Sequence, residues 1–261
     1  MTPKINTQKL KTPRFYVSPD VYSARDQDGT VILNVNNGRL YSLINAGSSA
    51  WQQIADDSRG VTVDTVMEGL LAEGMFVQHS RAKTRLAVKR MLNRLVELGI
   101  AYSDDKEDRF FSNDIRSLIA SVVIYPSRLT GTALIALKLY TGAAFLYLLM
   151  FDLVLKLAGF RYIHNTAKRW SVARNRFTDE AVITTVRKAT DRACTWYPKR
   201  AMCLPRAVVM TCLLRELGIE AVTVIAIQKN PFVGHAWSEI SGRITNDETV
   251  VRADYSILER V

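Results

Sequence analysis

The chain has 261 residues, 48% of them hydrophobic and 23% charged, and 35 Lys or Arg against 25 Asp or Glu give a net charge of +10. That length allows two modest domains with real cores and excludes a disordered chain. Its three cysteines, Cys194, Cys203 and Cys212, are an odd, evenly spaced set without a Cys-x-x-Cys pair, and with only three histidines they argue against a zinc site and fit a reducing cytoplasm.

Residues 1 to 15 scatter Lys4, Lys9, Lys11 and Arg14 among polar neighbours, without the apolar core of a signal peptide, and read as a loose arm. From Val21 to Ile44 the chain alternates and turns. Strands are predicted at Val21 to Arg25, Thr30 to Val35 and Arg39 to Ile44, separated by the tight-turn signals Gln27-Asp-Gly29 and Asn36-Asn-Gly38. Helices follow at Ser48 to Ala55, at Val63 to Glu73 with Asp64 as its capping acid and Gly74 as its stop, and at Ala82 to Leu98 with Gly99 as its stop. A strand at Ile100 to Ser103 leads into the acidic run Asp104 to Asp108, read as the boundary between residues 16–106 and 107–261. Three strands and three helices make a small winged-helix-like module. Such folds often read DNA, but residues 1–106 carry fourteen basic and eleven acidic side chains, a weak footprint for a phosphate backbone.

The segment Thr132 to Gly159 is rich in Leu, Ala, Tyr and Phe. Its longest uncharged run, Leu139 to Phe151, has thirteen residues, short of the roughly 20 that span a bilayer, so no transmembrane span is expected. Lys138, Asp152 and Lys156 fall on one helical stripe, which predicts a single mostly buried helix, set against the domain core or in a partner's groove, with peripheral membrane contact as a third option. From Arg161 to Arg206 eleven basic residues face three acids. Either they attract an acidic segment of a substrate or partner, or they are solvated helix faces. Thr178-Asp179-Glu180 opens a helix running to Trp196, with Val182, Val186, Ala189 and Ala193 on one side. Cys194 and Cys212 read as packing residues and His79 and His164 as surface histidines. Trp196 and Trp237 either line a cleft or fill the core.

The chemistry concentrates between Cys203 and Asp247. Leu204 to Leu217 has a helical apolar pattern that stops at Gly218, so Cys203 sits at a helix N-terminus, where the helix dipole favours the thiolate, and Pro205 fits the first turn. Ala221 to Ile227 and Val233 to Ile240 read as strands, the second carrying His235. A thiol nucleophile needs an imidazole to take its proton and a third group to orient the ring. Asp247 takes that place if Ser241, Gly242 and Arg243 form a three-residue hairpin loop, and Glu248 does if the loop has two residues. The plainer reading makes Cys203 a small buried hydrophobe.

Cys203-Leu-Pro-Arg-Ala, Leu213-Leu-Arg-Glu-Leu-Gly-Ile219, Pro231-Phe, His235-Ala-Trp-Ser-Glu239, Gly242 and Asn246-Asp247 resemble the transglutaminase-like leader peptidase of lasso-peptide biosynthesis, over about the last 70 residues. The resemblance implies Cys203 as nucleophile, His235 as base and Asp247 as orienting acid. Gly38-Arg-Leu-Tyr-Ser-Leu43, Asn45-Ala-Gly-Ser-Ser-Ala-Trp51 and the later Leu-Gly-Ile100 are similar to a leader-peptide recognition element of the kind found in the chaperone of pyrroloquinoline quinone synthesis.

Together these imply an α+β protein: a winged-helix-like recognition module followed by a transglutaminase-like, papain-like cysteine peptidase domain. A leader peptide would add to the strand Arg39, Leu40, Tyr41, Ser42 and Leu43, with Lys83, Lys89, Arg90 and Arg94 meeting its acids. The expected activity is hydrolysis of the leader–core bond of a ribosomally made precursor, without metal or organic cofactor. An ATP-dependent lasso cyclase is the expected partner, nucleic acid is not, and the location is cytoplasmic. The rivals are a transglutaminase-like acyl transferase and a non-catalytic escort of the precursor.

Overall fold

A computed structural model describes residues 12–26, 28–105, 115–174, 180–228, 232–247 and 252–261. The chain divides into two compact units, one of Met1–Val21, Gln27–Ile32 and Tyr41–Phe110, the other of Tyr22–Asp26, Leu33–Leu40 and Phe111–Val261. The acidic stretch 106–108, Gln27, the helix opening at 178–179, Pro231 and Glu248 lie outside the described residues.

Strands β1 (Phe15–Val17), β2 (Val21–Asp26), β3 (Gly29–Asn34) and β4 (Arg39–Leu43) precede helices α1 (Asn45–Asp56), α2 (Val63–Ala72) and α3 (Arg81–Glu97) and strand β5 (Ala101–Ser103). Three of these strands form a sheet in the order β2-β3-β4, as the two turn signals predict, and β3 is buried along its whole length. The expectation of a loose arm stops short of Phe15. That residue is 3% exposed and pairs with Ser103, so β1 and β5 make a separate two-stranded ladder. Three residues, Phe-Tyr-Val, are too short a run for alternation to announce a strand. Helix α2 is capped by Thr62, whose hydroxyl accepts from the Thr65 N–H; the expected capping acid, Asp64, instead binds Arg85 at 2.6 Å. Trp51, Ile54, Met67, Leu70 and Leu92 fill the core between the three helices.

After β5 the second unit takes in α4 (Ile115–Ala136) and α5 (Tyr140–Arg169). The single helix expected over 132–159 is in fact parts of these two. The chain reverses at Leu137–Leu139, where Lys138 takes a positive φ of 60°, so Lys138 is not on the stripe of Asp152 and Lys156. Helix α5 runs 30 residues, with a kink at Gly159. By length and composition it could cross a membrane, which its thirteen-residue uncharged run did not suggest. Its inner face, including Ala144, Tyr147, Leu148, Phe151 and Val154, lies in the core.

Helices α6 (Glu180–Trp196) and α7 (Cys203–Glu216) pack with α5, and α7 also lies on a four-stranded sheet. The strands are β6 (Ala221–Gln228), β7 (Val233–Ile240), β8 (Arg243–Ile244) and β9 (Ser256–Arg260), in the antiparallel order β8-β7-β6-β9. The buried Arg215 anchors the far end of α7. Its Nε donates to the Ala221 carbonyl at 2.7 Å and its Nη1 to the Ala167 carbonyl at 2.6 Å. A buried hydroxyl chain, Thr223 to Thr211 at 2.9 Å and Thr211 to Ser238 at 3.0 Å, ties α7 to β6 and β7. Polar groups buried this deeply are costly unless paired, so the chain sets how the helix lies on the sheet.

Candidate active site

Cys203 is the first residue of α7, after Met202 at the cap position, and His235 is the third residue of β7, opposite Ala226. Helix α7 packs on β6 and β7, and its first residue comes to His235 near the turn end of that hairpin. The Cys203 thiol is hydrogen-bonded to the His235 ring, and its sulfur also accepts the backbone N–H groups of Ala236 and Leu204. His235 Nε2 lies 2.9 Å from Asp247 Oδ2, which leaves Nδ1 as the nitrogen for the thiol. Both side chains of that pair are largely buried, at 20% and 18% exposed.

The electrostatics follow from these contacts. Burial pushes the Cys203 thiol up, but His235 and the two backbone N–H groups outweigh it and hold the thiol below its ordinary value. His235 is raised, first by its bond to Cys203 and then, against burial, by Asp247. Lowered thiol and raised imidazole favour a thiolate–imidazolium pair. Burial raises Cys194, and raises Cys212 to about 12. Both fit the packing role expected of them.

The ring of His235 clusters with Trp237, 6.0 Å away, and Tyr255, 5.7 Å away, which are themselves 5.6 Å apart. Trp237 is fully buried and donates from Nε1 to Glu239 at 2.9 Å, and Arg260 holds the other oxygen of Glu239. Of the two tryptophans considered, Trp237 is core beneath the imidazole and Trp196 is 65% exposed. His164 is not a surface histidine: it is 3% exposed, beside Tyr22 and Phe160 and 3.8 Å from Glu259. His79 is exposed.

The hairpin register differs from the expectation that favoured Asp247. Ile240 pairs with Arg243 and Glu239 with Ile244, so the loop has two residues, Ser241 and Gly242, both with positive φ. A continued ladder would bring Ala236 opposite Asp247 and His235 opposite Glu248. It does not continue. Thr245 still donates its N–H to the Ser238 carbonyl, but the next bond is a side-chain one: Asn246 Oδ1 accepts the Ser238 N–H at 2.7 Å. With that substitution the backbone leaves the ladder, and Asp247 reaches His235 by a different route from the one the loop count suggested.

The predicted leader-binding residues are distributed as follows. Arg39 and Ser42 are exposed and Leu40, Tyr41 and Leu43 half-buried on β4, an outer strand of its sheet. Within the second unit, a Cβ at Gly234 would lie 3.1 Å from Leu40 Cδ1, so the residue before His235 has little room for a side chain. Lys83, Lys89, Arg90 and Arg94 are all exposed on α3, and Arg94 pairs with Glu97 at 2.9 Å. Lys83, Arg90 and Arg94 share the face opposite Val88, Leu92 and Leu95, while Lys89 points a quarter-turn or so away. The main neighbours of α3 are α2 and β5.

Among the described residues no group of three His, Cys, Asp or Glu could hold a metal ion. Residues 146–260 match the family model of the transglutaminase-like superfamily. The match takes in Cys203, His235 and Asp247 and covers less than half of the chain. This stretch is therefore a transglutaminase-like domain. No curated protein and no solved structure matches the chain.

Proposed function

We propose that the protein binds the leader of a lasso-peptide precursor through its N-terminal, winged-helix-like module and hydrolyses the leader–core peptide bond in its C-terminal domain. The observation that supports this reading most directly is the line Cys203–His235–Asp247, with the thiol lowered and the imidazole raised. The Cys203 thiolate attacks the carbonyl carbon, and the His235 imidazolium gives its proton to the departing amine as the C–N bond breaks. His235, again neutral, then takes a proton from water, which displaces the thiolate from the thioester and leaves a carboxylate. Asp247 holds the ring throughout. In this reading the backbone N–H of Cys203, at the helix N-terminus, meets the oxyanion. The freed core passes to a separate ATP-dependent cyclase in the cytoplasm.

Mass spectrometry of the purified protein with its precursor tests the proposal. Wild type releases leader and core, while Cys203→Ala abolishes release and binds precursor as before. Cleavage by Cys203→Ala within about tenfold of wild type would overturn the assignment, because losing a nucleophile costs many orders of magnitude. The superfamily match also suits transfer of the acyl group to an amine. An added amine appearing in the product in place of water would favour that second reading.

A further inference from the structure

Helix α4 is apolar on two opposite sides. Ala120, Ile124 and Ile135 face the core, and the outward stripe consists of Leu118, Val122, Tyr125 and Leu129, at 66%, 66%, 69% and 57% exposed. Spaced four, three and four residues apart, these four fall on one helical face, which Ala133 and Ala136 extend toward the turn. The turn continues it, with Leu137 70% and Leu139 52% exposed on either side of Lys138. On α5, Leu149 and Leu153 are exposed at 45% and 44%. A soluble-facing helix ordinarily carries charge on its outer side, and an uncharged face about 27 Å long is a surface waiting for an apolar neighbour.

The charges around this face have one sign. Between Ser117 and Leu137 the sole charged residue is Arg128, and its guanidinium lies over the Trp170 ring at 4.7 Å and near Glu216 at 3.8 Å. Asp152, the sole acid of α5, is held by Tyr197 and Lys199. Lys138 and Lys156 are exposed. Residues 111–261 as a whole carry twenty Lys or Arg and twelve Asp or Glu. A second copy would set lysine against lysine and one basic domain against another. An anionic bilayer offers hydrocarbon to the leucines and phosphates to the lysines.

We propose that the outward face of α4 and the Leu137–Leu139 turn dock the protein on the surface of an anionic lipid bilayer. Leu118, Val122, Tyr125, Leu129, Leu137 and Leu139 enter the boundary between headgroups and acyl chains, about 5–10 Å deep. Lys138 and Lys156 pair with lipid phosphates. The inner face of α5 stays in the core, so the contact is peripheral and not a span.

Vesicle flotation of the full chain tests this without any need for peptidase activity. Wild type floats with vesicles of phosphatidylcholine containing phosphatidylglycerol and stays behind with phosphatidylcholine alone. The double variant Leu137→Asp/Leu139→Asp, at positions exposed enough to leave the fold and its circular dichroism melt unchanged, partitions about tenfold less or weaker still. Lys138→Gln and Lys156→Gln each lower partition about fivefold. Cys203→Ala floats like wild type, so failure of the peptidase reading leaves this result untouched. Three outcomes overturn the proposal: no flotation with anionic vesicles, flotation unchanged in the Leu137→Asp/Leu139→Asp variant, or a wild-type dimer in sedimentation that Leu129→Ser dissolves.

Discussion

Cys203 and Cys212 lie nine residues apart on α7, and the two ends of that helix do different work. At the first turn a half-buried thiol receives hydrogen bonds from an imidazole and two backbone N–H groups, and its pKa falls. Two and a half turns on, the buried thiol of Cys212 has no such set of donors, and burial raises it to about 12. The other end is chemically quiet but mechanically firm, because Arg215 donates to carbonyls on α5 and at the start of β6. The same residue type thus becomes a nucleophile or a packing group according to the donors that the fold brings to it.

After loss of the nucleophile itself, the largest predicted effect breaks the reactive end. Asp247→Asn keeps the shape of the His235 contact but removes the charge that steadies the imidazolium and its ring orientation. Turnover should fall by about 10²–10⁴-fold while precursor affinity holds. Steady-state cleavage kinetics measure it, and a loss of less than twofold would show that Asp247 does not orient the ring.

Next comes the firm end. Arg215→Met leaves the carbonyls of Ala221 and Ala167 without their buried donor, which should cost about 2–4 kcal/mol in urea unfolding. Activity of the fraction still folded should change little. If stability holds and activity collapses, the two ends are not separable in the way their contacts indicate.

The contrast between the thiols can be sharpened by alkylation. The lowered Cys203 thiol is ionised at a pH where Cys194 and Cys212, both raised, remain protonated. Iodoacetamide at neutral pH should therefore modify Cys203 about tenfold faster than Cys194, or more, since each unit of pKa is tenfold in thiolate. Peptide mass mapping reads the site, and equal rates at Cys203 and Cys194 would contradict the assigned shifts. As pH falls through the folded pKa of Cys203 its alkylation slows, but its advantage over the other thiols is kept. The selectivity fades as pH rises through the values of the other thiols. The linkage to stability has the same signs. The depressed thiol contributes above the unfolded thiol pKa, and its contribution is lost as pH falls through the folded one. The raised His235 contributes below the unfolded imidazole pKa and loses its effect as pH rises through the folded one.

Much of this was legible in the residues. Asn36-Asn-Gly38 and the glycines after α2, α3 and α7 mark local backbone demands, and local demands can be read without tertiary contacts. The approach of Cys203 to His235 was legible as helix-on-sheet packing. The break at Lys138 was not, because Leu137-Lys-Leu139 contains no Gly or Pro and each residue is a fair helix former. The β1–β5 ladder joins segments far apart in sequence, and no local pattern carries such a pairing. The route of Asp247 was missed for a similar reason: counting ladder positions assumes backbone bonds, whereas a side-chain amide supplies the one that matters.

That amide gives the smallest predicted effect and the finest test of the reactive end. Asn246 is 4% exposed, and its Oδ1 takes the Ser238 N–H that a continuing strand would have taken. It touches neither the thiol nor the imidazole, so it is a positioning residue acting through Asp247. Asn246→Ala orphans the Ser238 N–H and frees the segment that carries Asp247, which should lower kcat about tenfold through misplacement of the carboxylate while KM stays within error. Loss of the carboxylate's support also lowers the His235 pKa, so the alkaline limb of the pH–rate profile should move to lower pH. A purely structural role would lower the melting temperature and leave that limb where it is. Asn246→Asp, which keeps an acceptor at the same place, should recover most of kcat. An Asn246→Ala enzyme with unaltered kcat and pH profile would mean that Asp247 finds His235 without the clamp, and that the end of the β8 ladder is set by the strand alone.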